Sequence, residues 1–146
     1  MMRYSYLKHQ FVRHIPRELD PGVLYISVEY GTAAHSCCCG CGEEIVTPFT
    51  PTDWRMTFDG ETISLWPSVG NWNLACRSHY VIHRGQVLKA APWSDRQIVA
   101  GRRRDKAAKA RYFGALDMPA ETGSVLARPR VRGVWSKILR WFTQSQ

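Results

Sequence analysis

The chain has 146 residues, 45% of them hydrophobic, with 6 Trp and 6 Tyr. That is enough for one ordinary domain with its own core, and too apolar for a disordered chain. The formal charge of +8 is uneven: residues 1–95 hold 8 Lys/Arg against 9 Asp/Glu, and residues 96–146 hold 12 against 3.

No apolar run approaches the ~18 residues that cross a bilayer. The opening MMRYSYLKHQ lacks the apolar stretch of a secretory signal. A cytoplasmic, reducing setting is therefore expected, in which cysteines serve as metal ligands or nucleophiles more often than as disulfides.

Taken in chain order, the first elements read as strands. Residues 10–15 alternate weakly and are expected to pair with 23–30, a β-branched and aromatic run that follows Asp20-Pro21-Gly22. Glu44–Thr47 is a short strand ending at Pro48. Residues 54–58 and 62–66 alternate on either side of Asp59-Gly60, a hairpin signal because the tight turn needs the positive φ that glycine tolerates. Residues 80–83 and 86–88 flank Arg84-Gly85 in the same way.

From Ser94, a helix cap, the period changes to helical and runs to about Leu116, with Gly101 and Gly114 each weakening the helix by ~1 kcal/mol relative to alanine. The expected fold is mainly β: a small antiparallel zinc-stapled β domain with a trailing helix over residues 1–116 (α+β). A linker over 117–130 and an amphipathic C-terminal helix over 131–146 complete the expected organisation.

Four of the five cysteines fall within Cys37-Cys38-Cys39-Gly40-Cys41. Strand neighbours alternate faces, so four so closely spaced cannot all point into one apolar core. Downstream stand Cys76 and His79, with two residues between them. Zinc takes four soft or borderline ligands in a tetrahedron, commonly supplied as two short-spaced pairs. Cys37, Cys39, Cys41, Cys76 and His79 are the candidate ligands of one structural Zn2+, with Cys38–Cys41 an alternative spacing for the first pair. Cys38 would then be a ligand. Four protein ligands close the coordination shell, which favours a structural ion over a catalytic one.

Other residues carry weaker signals. His35 is an alternate ligand, and His83 shares a strand face with His79. Ser68, Ser78, Asp53 and Asp59 are the groups that could join a histidine in a hydrolytic site. No nucleophile elbow, zincin helix or phosphate-binding loop accompanies them. The cationic run from Arg102 to Arg111 is either a solvated face or a docking surface for an acidic partner or for nucleic acid.

The segments CCCGCGEE, WRMTFDGETISLWPS and CRSHY together resemble a bacterial family encoded beside a ubiquitin-like protein and its activating and conjugating enzymes. The resemblance spans about residues 10–105. In its pattern the recurring cysteines match Cys37, Cys39 and Cys41, with Cys38 an extra, and the chain after about residue 115 falls outside it. The resemblance implies a role in attaching, recognising or removing the modifier, with the modifier or its enzymes as partners.

Three functions follow as expectations. The first is a zinc-binding accessory or recognition protein of such a system. The second is a peptidase or hydrolase that processes or removes the modifier. The third is a nucleic-acid-binding zinc protein using residues 96–146.

Overall fold

The computed structural model describes residues 2–116. The expected linker and terminal helix lie outside the described residues. Among those described, eight strands precede one helix: β1 (Lys8–Phe11), β2 (Val23–Ser27), β3 (Thr32–Ser36), β4 (Glu44–Pro48), β5 (Arg55–Phe58), β6 (Ile63–Gly70), β7 (His79–His83), β8 (Gln86–Lys89) and α1 (Asp95–Leu116). The strands form two sheets, β1-β2-β3-β4 and β5-β6-β7-β8. All pairings are antiparallel except β1 with β2, which is parallel. The described residues are thus mainly β with one helix, as the alternating runs indicate.

One strand escapes sequence reading. β3 is Thr-Ala-Ala-His-Ser, with little β propensity, yet Ala33 and Ala34 are fully buried at the centre of the first sheet. The site is crowded, and small side chains fit it. Both hairpins form where glycine follows a turn residue. Arg84 (φ 49°) and Gly85 (φ 75°) make the two-residue connection between β7 and β8, with positive φ at both central positions. At the other hairpin the Asp59 carboxylate accepts from the Glu61 and Thr62 amides and the Thr62 hydroxyl, which holds its acid well below the usual range, at about 2.

Leu24, Ile26, Ala33 and Ile45 of the first sheet and Ile63, Leu65, Val69, Tyr80 and Ile82 of the second belong to one buried cluster, so the sheets share a core. One polar pair crosses it: His35 Nε2 lies 2.8 Å from the Tyr80 hydroxyl. Burial pushes the His35 imidazole down to about 4, so it is neutral at physiological pH, and burial likewise pushes the Tyr80 phenol up.

β6 runs further than its alternation suggests. The run breaks at Pro67, which has no N–H for a ladder, but the strand continues to Gly70 through a bulge between Leu65 and Val69. The four steps of β6 from Leu65 to Val69 span only the two steps from Ile82 to Tyr80 on β7. Bulges re-aim side chains, and Ser68 lies inside this one.

α1 begins with a capping box: the Gln97 amide donates to Ser94 Oγ, and the Ser94 amide donates to Gln97 Oε1 (2.8 Å). Among its described residues only Ile98 and Gly101 are buried. The helix is tied down by Lys109–Asp53 (2.6 Å), Arg77–Asp95 (2.7 Å) and Arg102 donating to Asn73 (2.6 Å). Two cations of the basic run, Arg102 and Lys109, therefore contact the β domain. Among the described residues no helix is long and apolar enough to cross a membrane.

Gly101 has a packing reason. A Cβ there would stand 2.8 Å from the Trp93 ring. Helix propensity alone gives Gly101→Ala a gain of ~1 kcal/mol. The clash reverses the sign, and a net loss of about 1–2 kcal/mol in a urea melt is expected, with a change in tryptophan fluorescence as Trp93 is displaced.

Candidate functional site

Two chemical features lie on either side of one loop, residues 71–78, which joins β6 to β7. The first is a cluster of thiols. The turn between β3 and β4 is closed by the Cys37 amide donating to the Glu43 carbonyl (2.8 Å) and the Gly40 amide donating to the Cys37 carbonyl (2.9 Å). Gly40 (φ 89°) and Gly42 (φ 83°) adopt the left-handed backbone this turn needs. It delivers Cys37, Cys39 and Cys41 to one point, and the 71–78 loop brings Cys76 from the other sheet. The four sulfurs lie within 4.8 Å of one another. Cys37 Sγ is 3.4 Å from Cys39 Sγ and 4.0 Å from Cys76 Sγ.

A tetrahedral ion with ~2.3 Å bonds to sulfur sets its ligands ~3.8 Å apart, so the four side chains fit a closed four-cysteine metal site. All five cysteines are free thiols.

The surroundings favour ionisation at one of these sulfurs, Cys76. Ser78 Oγ lies 3.2 Å from Cys37 Sγ and 3.5 Å from Cys76 Sγ, and Asn71 Nδ2 donates to Ser78 Oγ (2.7 Å) and toward Cys37 Sγ (3.7 Å). Burial raises the Cys76 thiol, but hydrogen bonding to Ser78 and to the neighbouring thiols outweighs it and brings Cys76 down to about 7. Burial and its sulfur neighbours push Cys39 up to about 12. Ionisation therefore begins at Cys76, and further thiolates beside it need a cation to offset their charge.

Two sequence candidates lie elsewhere. Cys38 is buried against Tyr80 and outside the four-sulfur group, so the Cys38–Cys41 spacing is not the one the fold brings together. His35, the alternate ligand, is engaged with Tyr80.

His79, paired with Cys76 by sequence spacing, also stands apart from the sulfurs. Its Nε2 is 2.8 Å from Ser68 Oγ and its Nδ1 is 2.6 Å from the Ala91 carbonyl oxygen. A carbonyl only accepts, so Nδ1 carries a proton, and in the neutral ring Nε2 is then the acceptor for the Ser68 hydroxyl. The ring is held against Trp72 (centroids 4.9 Å) and Trp93 (5.6 Å), which stack on each other at 5.5 Å with 17° between their planes. His79 is buried and Ser68 is half-buried, so the hydroxyl is the accessible member of the pair.

The pair lies in a cleft of about 490 Å³ walled by Trp54, Trp66, Trp72 and Trp93 and closed on one side by Ile98 and Gly101 of α1. Asp53 also lines it, but its carboxylate is taken up by Lys109 and by Thr50 Oγ1 (2.6 Å). Burial raises the Asp53 acid, and the Lys109 and Thr50 contacts more than reverse this. Asp59 lies in its own hairpin, Ser78 among the thiols, and His83 is exposed at the end of β7.

Of the hydrolytic candidates, the fold selects Ser68 and sets it on His79. Sequence reading missed Ala91, Trp72 and Trp93. The one local signal was the break in alternation at Pro67-Ser68, a bulge marker.

A serine hydroxyl bonded to an imidazole whose far nitrogen is oriented by a third group is the arrangement shared by hydrolases of the serine class. The chain belongs to BubE, the bacterial ubiquitination-like system serine protease family, whose model matches residues 11–90. That match takes in the cysteine turn, Ser68, Cys76 and His79. It agrees with the resemblance to a family encoded beside ubiquitin-like conjugation enzymes. Comparison with curated proteins and with solved structures gives no match.

Proposed function

We propose that the chain is a serine peptidase of a bacterial ubiquitin-like modification system, cutting the bond that follows or attaches the modifier. The observation that carries this reading is the 2.8 Å contact of Ser68 Oγ with His79 Nε2, in the tautomer that makes the nitrogen a base. In this reading Ser68 attacks the scissile carbonyl while His79 takes its proton. His79 then gives that proton to the leaving amine, and an ester to Ser68 remains. Water, deprotonated by His79, attacks the ester; the bond from the acyl carbon to Ser68 Oγ breaks, His79 returns its proton to that oxygen, and the acid product leaves.

The Ala91 carbonyl does the orienting that a carboxylate does in a triad. It fixes the tautomer and ring, and it stabilises the imidazolium through a dipole rather than a full charge. Trp72 and Trp93 exclude water from one face of the ring and hold it in line.

The four cysteines hold one structural zinc ion in the same proposal, and the donor set supports it. With four thiolates the coordination shell is closed, so no position is left for a reacting water, and the ion supplies fold rather than chemistry. This separates the metal ligands from the catalytic pair and assigns His79 to the latter.

A fluorophosphonate probe tests the reading without knowledge of the substrate, since it labels only serines activated as nucleophiles. The expected result is one adduct per chain, mapped by mass spectrometry to the peptide with Ser68 and lost in His79→Gln. Equal labelling of wild type and His79→Gln, or an adduct elsewhere, would refute the dyad.

A further inference from the structure

The bulge that presents Ser68 also leaves a piece of sheet edge open inside the cleft. β5 starts at Arg55, opposite Trp66, whereas β6 continues to Gly70. On the other side β6 stays paired with β7: Val69 faces Tyr80 and Gly70 faces His79. The Asn71 amide donates to the Ser78 carbonyl (2.9 Å). In an antiparallel ladder successive residues turn their N–H and C=O to opposite sides. Asn71 and Val69 turn theirs to β7, so Gly70 turns its own away, to the side that β5 has vacated. No backbone hydrogen bond among the described residues reaches Gly70 from that side. Gly70 lines the same cleft as Ser68 and His79, two residues from the serine.

We propose that the substrate binds as an extended segment that adds to β6 at this open edge, its main chain paired with Gly70, and that Trp72 restricts the paired residue to glycine or another small side chain. The proposal rests on the Ser68–His79 reading. Strand addition uses an unpaired N–H and C=O on a sheet edge, and Gly70 offers both. The spacing suits the chemistry: two residues of strand are ~7 Å, which places the paired residue two or three positions from a scissile carbonyl at Ser68.

The size limit follows from Trp72. A Cβ on Gly70 would lie 2.6 Å from Trp72 Nε1 and 2.7–2.8 Å from two of its ring carbons, so the indole fills that face of the strand. Side chains of directly opposed residues share a face with Cβ atoms ~5 Å apart. A substrate residue opposite Gly70 therefore points its side chain at the same indole. A folded globule does not enter such a slot, so the segment is a tail or linker with small residues.

The test uses octapeptides in an alanine–glycine background, each with N-methylation or leucine at one position. Hydrolysis by the wild-type chain and binding to Ser68→Ala by fluorescence anisotropy are both measured, so docking is read independently of turnover. Expected is a loss of ~10-fold or more when one particular position is N-methylated, as one main-chain hydrogen bond is blocked, with small effects at its neighbours. Leucine at that position should be rejected by wild type and accepted by Trp72→Ala. The readout is the ratio between leucine and glycine peptides, which is insensitive to any general loss from disturbing His79.

Binding with the expected pattern but no hydrolysis would sink the peptidase reading and leave strand docking standing. Equal effects of N-methylation at every position, an unchanged leucine-to-glycine ratio in Trp72→Ala, or no binding of any peptide would overturn strand docking.

Discussion

Ser68→Ala is expected to lower kcat for cleavage of a modifier–peptide fusion by about 10⁴-fold or more while leaving folding and metal content unchanged. The size of the loss comes from removing the attacking atom: without the hydroxyl, His79 has no nucleophile to activate, and only background attack by water remains. The absence of a stability effect comes from the environment. Ser68 is half-buried on a bulge outside the regular ladder, and the hydrogen bond its hydroxyl makes in the structure is the one to His79. Deleting a partly solvated hydroxyl falls within the small effects of surface substitution.

His79→Gln should lose activity to a similar degree, because residues that act as a unit are not additive, and the double variant should be no worse than either single one. The measurement is product formation by intact-mass analysis over time, with thermal melts and metal content on the same samples. Full activity in Ser68→Ala would move the chemistry away from this cleft.

What the sequence disclosed and what it withheld divide along a physical line. Local signals were legible. The Arg84-Gly85 turn, the Asp59 hairpin with its two alternating strands and the Ser94 cap depend on neighbours within a few residues, and the structure has them; the weakly alternating strand expected over 10–15 lies instead at Lys8–Phe11. Clustering of the cysteines followed from their density, and Cys37, Cys39, Cys41 and Cys76 do converge.

Tertiary facts were hidden. Two residues between Cys76 and His79 suits a metal knuckle, and nothing local says that the strand starting at His79 turns its imidazole away from the sulfurs. Ser78 and His79 enter β7 with side chains on opposite faces, which sends Ser78 toward the sulfurs and His79 toward Ser68. β3 was invisible because alanines carry little β propensity. Gly101 read as a defect because its reason, the ring of Trp93, lies on another segment. Ala91 contributes only its backbone, which no residue type announces.

The same loop geometry sets the outcome of the second large perturbation. Cys76→Ser is expected to lose the metal, lower Tm by roughly 10 °C and abolish labelling of Ser68, although Cys76 touches neither member of the dyad. Three sulfurs of the cluster come from the turn between β3 and β4 and one, Cys76, from the loop between β6 and β7, so a metal held by all four would staple the two sheets together through this residue. A metal that binds only the folded chain contributes about 4 kcal/mol when present at a thousand times its dissociation constant. At about 3 °C per kcal/mol for a chain of this size, its loss gives the expected shift.

Activity falls for a separate reason. The 71–78 loop begins three residues after Ser68 and ends one residue before His79, so a loop freed at Cys76 loosens both ends of the dyad. Cys38→Ser is the control: Cys38 lies outside the sulfur group and should keep one metal per chain and labelled Ser68. Wild-type metal content and melting in Cys76→Ser would overturn its place as a ligand. Chelation separates the remaining alternatives. If the metal is structural, Tm and activity fall together as it is withdrawn and return together when zinc is restored. If activity is lost while Tm holds, the ion is part of the chemistry and the closed-shell reading fails.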